Sequence, residues 1–461
     1  MTIQVEEGVH SPLPSGQDEL NLNELPASIR ERLRDRLYIS RLRQRPQTPW
    51  NRLVLAFALI GPGVLVMLGD NDAGGVITYI QTGASYGFGV FIPLIFVLGG
   101  IAYVVQEMTV RLGAVTRRGH AELIWKRYGP YWGAFSLVDL VVANFLTLIT
   151  EFIGIRVAAE AFGIPPALAV ASAVAFIAGT LIFLRYWTWE RIALGVALVN
   201  LVFVPIAIMA HPDWRAVAAS FVHWRVPNFM SASFLILVSA NIGTTIAPWQ
   251  LFFQQSSVVD KGLTLKDIPA GRRDTALGVI GMMAVALAII VLAAQYIHGL
   301  PGADNFQIAQ VLSTLHHRLG GAIATLFAVG LMEAGLIAAI VITASTSWAV
   351  GEALDLPRSI NEPPKQALTF YLPGIIATAF AGAIVLLPHV PLGFLNLTVQ
   401  VVATVFMPAA MLFLLMLLND QELMGTYVNS RRRNVLSIAI MMVLIICNVL
   451  YATATIFPHA L

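Results

Sequence analysis

Apolar residues in this chain do not alternate with polar ones. They run unbroken for about 20 residues at a time, the length a helix needs to cross the hydrocarbon of a bilayer. Eleven such runs are predicted, near 52–79, 88–110, 132–162, 165–184, 192–210, 231–257, 274–297, 322–350, 366–388, 392–418 and 434–457. Backbone groups in lipid have no water to bond to, so runs of this length read as helices. Barrel strands would be about half as long and alternate in polarity. The predicted fold is an all-α polytopic membrane protein.

Two of the runs are interrupted. The first is apolar from Leu53 to Leu68, then reads Gly69-Asp70-Asn71-Asp72-Ala73-Gly74-Gly75 before it resumes. The sixth is apolar from Phe234 to Val238, then reads Asn241-Ile242-Gly243-Thr244-Thr245-Ile246-Ala247-Pro248-Trp249-Gln250. Gly and Pro break the helical ladder and free backbone carbonyls at mid-depth. Mid-span aspartates are costly unless they face a cavity or a cation. The breaks lie five spans apart, and five is odd, so a repeat of five spans must be inverted in the membrane. Paired broken helices in an inverted repeat point to a transporter site; kinked helices that merely pack are the alternative.

Charge fixes the orientation. Hydrophobic residues make up 57% of the chain and charged ones 12%, against roughly a quarter charged in a soluble domain. The N-terminal tail and the loops near 111–130, 185–191, 258–273, 351–365 and 419–433 hold 23 of the 28 Lys and Arg; the opposite loops hold Arg215, Arg225 and Arg318. That asymmetry predicts a cytosolic N-terminus and, with eleven spans, an outside C-terminus, His459 to Leu461. Residues 1–48 read as a cytosolic polar and basic tail, with no segment resembling a cleaved signal. Residues 49–461 read as a transmembrane transporter domain, with repeats at about 52–210 and 231–418 and an extra helix at about 434–457. Arg30, Arg32, Arg34, Arg36, Arg41, Arg43 and Arg45 before the first span set topology or meet anionic headgroups. The single Cys447 excludes an intrachain disulfide.

Candidate chemistry is sparse. Asp72 sits at the first break. Asp70 and Asn71 either line it or cap the second half-helix. Asn241, Thr244 and Thr245 offer oxygens at the second break or satisfy freed backbone. Glu151 and Glu333 lie mid-span, where a charge needs a partner, whereas Glu107 and Asp139 lie nearer span ends. His10, His120, His211, His223, His298, His316, His317, His389 and His459 all fall in the tail, loops or span ends. No phosphate loop, His-Glu-x-x-His or Gly-x-Ser-x-Gly motif supports a pump or an intramembrane protease, so the chain is not read as an enzyme.

Gly61-Pro62-Gly63 followed by Asp72-Ala73-Gly74-Gly75, then Gln106, Arg111-Leu112-Gly113, Thr116, Ala121-Glu122, Tyr128, Glu151-Phe152-Ile153-Gly154, Ala247-Pro248-Trp249, Ser256, Leu326 to Leu331, Gly335, Glu352, Gln400-Val401-Val402 and Pro408 appear in the order and spacing of one family. Over roughly residues 50–458 the chain resembles the Nramp divalent-metal transporters, which share the inverted-repeat fold of amino-acid/sodium symporters. The resemblance implies a metal site at Asp72, the Ala73 region, Gly75, Thr244, Thr245 and Ala247, and a cation or proton path drawing on Asp70, Asn71, Glu151, Trp249, Glu333 and Gln400.

The departures matter as much. The family's Asn is Gly75 here, its Met is Ala247, and its sixth-span His is Trp249. An acidic residue before Glu151 is Leu148, a tenth-span Gln is Phe406, and the ninth-span arginine pair is missing, with Lys365 nearby. Loss of the thioether removes the donor that favours soft transition metals. The pattern partly resembles a magnesium-transporting branch of Nramp relatives. The expected function is therefore alternating-access transport of a divalent cation, of the Mg²⁺ or Mn²⁺/Fe²⁺ class, across the inner membrane, with altered or absent proton coupling. The alternatives are a chelated metal or organic cation moved through a widened site, or a non-transporting receptor of the same fold. The metal is cargo, with no cofactor; the other expected partner is membrane lipid, with no nucleic acid, and the protein is expected to be a monomer.

Overall fold

The computed structural model describes residues 38–44, 46, 48–223, 231–303, 308–388 and 391–456. Arg30, Arg32, Arg34, Arg36, Arg45, Arg225, His10, His389 and the C-terminal His459 lie outside the described residues. Among the described residues all regular structure is helical. After α1 (Tyr38–Gln44), span 1 has three pieces: α2 (Pro49–Leu59), α3 (Pro62–Leu68) and α4 (Ala73–Tyr86). Spans 2, 3 and 4 are α5 (Phe91–Thr116), α6 (His120–Ala161) and α7 (Pro166–Phe183). Span 5 joins α8 (Tyr186–Val199) to α9 (Phe203–Met209) through a 3₁₀ turn at Asn200–Val202, and the short α10 (Trp214–Ala219) follows. Span 6 is α11 (Ala232–Thr245) and α12 (Pro248–Asp260), and span 7 is α13 (Ile268–Tyr296). Then come α14 (Ile308–Leu319), span 8 as α15 (Gly321–Ala353), span 9 as α16 (Leu368–Val385) and span 10 as α17 (Leu392–Leu418). The short α18 (Gln421–Met424) precedes span 11, α19 (Arg431–Ile456).

Ten spans are single or stacked helices long and apolar enough to cross a membrane, and the bent pair α2–α3 makes an eleventh. Large apolar side chains stand on their outer faces: Phe394 is 73% exposed, Val138 62% and Ile280 60%. Water would penalise such a surface and lipid does not, so the chain is a multi-pass membrane protein. Two features escape the hydropathy pattern. Span 3 carries an added segment before Gly129 (φ 85), where the helix bends into Pro130. The helix α14 buries Ile308, Val311, Leu312 and Leu315 on one face, a 3.6-residue period too short to register as a span.

Side-chain contacts report the alternation of spans. At the face where span 1 begins, here the near face, Ser256 at the end of span 6 donates to Glu352 at the end of span 8 (2.5 Å). Trp348 donates to Asp260 (3.1 Å), and Arg111 at the end of span 2 donates to the Tyr427 carbonyl before span 11 (2.8 Å). At the far face, Arg156 on span 3 donates to the carbonyl of Val385, which ends span 9 (2.6 Å). Tyr296, ending span 7, donates to the carbonyl of Ala210 after span 5 (2.5 Å). Each pair joins ends that an eleven-span order places on one face.

The Gly-Pro-Gly stretch makes a second break in span 1, with a 46° bend between α2 and α3. Pro62 has no N–H, and Asp274 on α13 accepts from the remaining free donors of the turn, Gly61 (3.0 Å), Gly63 (2.7 Å) and Val64 (3.3 Å). A carboxylate at that N-terminus is favoured by geometry and by the helix dipole. Lys261, after α12, donates to the Ile60 carbonyl (2.8 Å) and to both oxygens of Glu190 on α8 (2.8 and 2.9 Å). Side chains on both Gly61 and Gly63 would collide, the first with Glu190 and Lys261, the second with the Thr275 backbone. Arg43 on α1 pairs with Asp267 beside the same corner. The first half of span 1 is thus clamped to spans 5, 6 and 7 at the near face by a fully buried ion pair.

Removing one member of a buried pair leaves the other uncompensated, at a cost of about 3–5 kcal/mol to the state that buries it. In a Cys447→Ser background, a cysteine replacing buried Thr275 is expected to react slowly with a thiol reagent applied from the near face. Adding Lys261→Met is expected to raise that rate at least about tenfold, the factor equivalent to 1.4 kcal/mol. An unchanged rate means the clamp does not hold this face shut.

Candidate functional site

The two breaks are made by different chemistry and meet at one place. In span 1 the helix stops at Leu68 and restarts at Ala73. Asp72 is the N-cap of α4, and its carboxylate accepts from the Gly75 N–H. The Ala73 N–H is taken by Glu151 of span 3 (2.9 Å). The donors that would continue the ladder are thereby turned onto carboxylates, and the start of α4 becomes an anion-binding end. Thr150 donates to the other oxygen of Glu151 (3.0 Å), and Glu151 also lies within hydrogen-bond reach of Asp72. Two carboxylates therefore share one half-helix N-terminus, fully enclosed.

In span 6 helical geometry persists through Thr245, and only Ile246 (φ −141, ψ 91) and Ala247 (φ −111, ψ 151) are extended. Pro248 then starts α12. Lacking an N–H, it leaves the Thr244 carbonyl without its i+4 donor. The Thr245 hydroxyl is used internally, donating to the Asn241 carbonyl (2.8 Å), and Asn241 donates to Thr82 (2.8 Å). The Thr244 hydroxyl has no hydrogen bond of good geometry although it is buried, and it lies beside Asp72.

Gly75 reports how tightly these pieces meet. A Cβ there would sit 2.6 Å from Thr244 Oγ1, 3.0 Å from Asp72 Oδ1 and 3.4 Å from the Asp70 carbonyl oxygen. One methyl-sized position thus touches a carboxylate, a hydroxyl and a backbone carbonyl, all oxygen. The side chain missing at Gly75 leaves no spare room, because Thr244 and Asp72 fill it; the expected widening is not present at this position. Gly74 is crowded likewise by Gln400, Thr150 and Asn396. Gln400 on span 10 therefore touches the first break, with its Nε2 unpaired, while its backbone carbonyl packs on Gly243 of the second.

The other residues named from sequence are distributed around this centre. Ala73 is the first residue of α4 and contributes its N–H; the Asp70 carbonyl stands beside Gly75. The Asp70 side chain points away, bonded by Gln250, so Asp72 rather than Asp70 caps α4. Ala247 is buried at the second break. The Trp249 ring tip lies against Gly69, and it opens a buried aromatic wall through Phe253, Trp348 and Trp189. Glu333 does not join Asp72. Gly335 faces Glu151 and Ala73, and Glu333, two residues earlier, projects from the opposite side of α15. The Asn71 side chain donates to the Met282 carbonyl on α13 (3.1 Å).

Sequence reasoning overlooked a buried polar relay. Gln250 bonds Asp70 at one end and accepts from Gln106 at the other (3.1 Å). Thr109, one turn on, donates to Gln254 (3.1 Å), which donates to Thr275 at the near-face clamp (2.8 Å). The signal was present as glutamines at 250 and 254, four apart on one face of an otherwise apolar half-helix.

Comparison with known proteins follows the same lines. The family model described as natural resistance-associated macrophage protein-like, Nramp, matches residues 63–454. The divalent metal cation transporter MntH of Ralstonia nicotianae is 29% identical over 424 residues, covering 87% of this chain and 92% of that protein. MntH 1 of Pseudomonas aeruginosa is 29% identical over 406 residues, covering 83% and 88%. The crystal structure of an Eremococcus coleocola manganese transporter superposes with a TM-score of 0.71 at 22% identity, covering 89% of this chain and 88% of that one. A Na⁺-coupled sialic acid symporter superposes with a TM-score of 0.57 at 15% identity, covering 93% and 96%. These structures share the fold of this chain.

Gly75→Asn, which restores the residue typical of the resembled family, forces its Cβ onto Thr244. Overpacking of this kind costs about 1–3 kcal/mol, so the unfolding midpoint of the detergent-purified protein is expected to fall. Thr244→Ala in the same chain is expected to recover most of the loss. A single variant as stable as the parent places the two breaks further apart than described.

Proposed function

The chain belongs to the Nramp family, and from that premise we propose that it is a secondary transporter of a divalent metal cation that works by alternating access. The observation that carries this reading is the meeting of the two breaks: the Asp72 carboxylate, the unpaired Thr244 hydroxyl and the Asp70 carbonyl converge in a fully buried position. A cation there would satisfy the unpaired Thr244 hydroxyl and offset two buried carboxylates. The relatives named as divalent metal cation transporters support the cargo class. Residues 1–48 and the basic loops lie on the cytosolic side of the plasma membrane in this reading, and the Lys261–Glu190 clamp is the cytosolic seal. Spans 1 and 6 move against spans 3 and 8, which pack closely where Gly335 meets the Glu151 backbone.

The donors are all hard. Ala247 brings no sulfur to the second break, and carboxylate, hydroxyl and carbonyl oxygens suit Mg²⁺ and Mn²⁺ better than Cd²⁺. Proton coupling is weak or absent. The polar group the family places in span 6 is here Trp249, embedded in an aromatic wall, and buried Leu148 replaces the acid one turn before Glu151. Glu151 itself is held by the Ala73 N–H and Thr150.

Asp72→Ala is expected to abolish Mn²⁺ and Mg²⁺ flux into proteoliposomes while the protein remains monodisperse. During wild-type flux a pH dye in the lumen is expected to stay flat. Normal flux through the variant removes Asp72 from the site, and stoichiometric acidification shows a rebuilt proton route.

Ala247→Met adds one soft donor at the second break. It is expected to raise Cd²⁺ affinity relative to Mn²⁺, read by competition binding. Tight Cd²⁺ binding by the parent with no gain in the variant would place the metal elsewhere.

A further inference from the structure

A second polar cluster lies across the unwound segment from the Asp72 site. Span 5 loses its α-helical geometry at Asn200–Val202, and a mid-helix 3₁₀ stretch often marks a functional position. Gly330 on span 8 lets this turn approach, with Val202 and Phe203 filling the space where its side chain would be. One turn further along the same face is Glu333, only 6% exposed, and neither of its carboxylate oxygens has a hydrogen bond. The polar side chain that faces it is Asn200.

The amides of Asn200 and of neighbouring Asn71 are held in a specific way. Asn200 Nδ2 donates to the backbone carbonyl of Asn71 (3.1 Å), and Asn71 Nδ2 donates to the carbonyl of Met282 on span 7 (3.1 Å). Their Oδ1 atoms are both buried and both unpaired. Four buried acceptor oxygens are thus left without a hydrogen bond, two on the Glu333 carboxylate and one on each amide, while each amide nitrogen makes one bond to a backbone carbonyl. No Lys or Arg among the described residues pairs with Glu333. A buried carboxylate with no hydrogen bond and no cationic side chain, beside unpaired amide oxygens, calls for a cation.

We propose that Glu333, Asn200 and Asn71 form a second cation site, for a small alkali cation of Na⁺ type, separate from the divalent site. One carboxylate balances one positive charge, and amide and carboxylate oxygens are hard donors matched to such an ion. The two sites are joined through the backbone: Asn71 immediately precedes Asp72, and Asn200 holds the Asn71 carbonyl. An ion bound at Glu333 fixes the segment that presents Asp72, so each ion favours binding of the other. The inference rests on the divalent-cation reading only for this coupling; the Na⁺ site itself stands on the unpaired oxygens.

The test uses full-length protein in detergent, with Na⁺ replaced by choline at constant ionic strength. Wild type is expected to melt at a higher temperature in Na⁺ and to bind Mn²⁺ about 5- to 150-fold more tightly than in choline, the usual range of such coupling. Glu333→Gln, which keeps the shape and removes the charge, is expected to lose both Na⁺ effects and still to be stabilised by Mn²⁺; Asn200→Ala replaces it if the first variant does not fold. Asp72→Ala is expected to keep Na⁺ stabilisation and lose that of Mn²⁺. Wild type that behaves alike in Na⁺ and choline, or a Glu333→Gln protein with an intact Na⁺ response, overturns the proposal. An Asp72→Ala protein still stabilised by Mn²⁺ would overturn the divalent site and leave the Na⁺ site standing.

Discussion

Everything at the centre of this molecule depends on one constraint: the half-helix α4 begins in the middle of the membrane, and its N-terminus faces two enclosed carboxylates. The free N–H groups and dipole of a helix end offer roughly half a positive charge. Asp72 uses the Gly75 N–H and Glu151 uses that of Ala73. Those contacts fix where each carboxylate points, but they do not neutralise the pair. In the proposed reading the remaining charge is met by a cation that enters and leaves, where a fixed Lys or Arg would hold the pair permanently. On that reading, a buried carboxylate pair that binds and releases a cation is the physical core of the carrier.

The rest of the structure serves that site. Small residues let helices close upon it: Gly74 yields to Gln400, Gly243 to the span 10 backbone and Gly335 to Glu151. The inverted repeat supplies the second break, and there Pro248 frees the Thr244 carbonyl where the first break needed carboxylates. At the near face a third discontinuity, the bend before Gly61-Pro62-Gly63, is held by Asp274 and by the Lys261–Glu190 pair. The buried relay through Gln250, Gln106, Thr109 and Gln254 links this clamp to Asp70, one step from the site.

Much of this was legible from sequence, because lipid enforces simple rules. Spans must be apolar and long, so all eleven could be placed, and the breaks stood out as polar Gly-rich or Pro-containing interruptions. What escaped was set by side-chain direction. Spacing alone could not tell that Asp70 turns to Gln250 while Asp72 caps α4, or that Glu333 faces span 5 and not the Asp72 centre. Deletion of a side chain at Gly75 suggested extra space, yet Thr244 of another span occupies it. Asn200 drew no attention because a lone amide in an apolar run carries no periodic signal, and the amphipathic α14 was too short and too polar to register as a span.

The most direct measurement is anomalous diffraction from crystals grown with Mn²⁺. The account places one strong peak between Asp72, the Thr244 hydroxyl and the Asp70 carbonyl, in contact with oxygen atoms only, and predicts its loss in crystals of the Asp72→Ala protein. A peak elsewhere in the bundle that persists in that variant would contradict the assignment of Asp72 and of the paired breaks as the cation site.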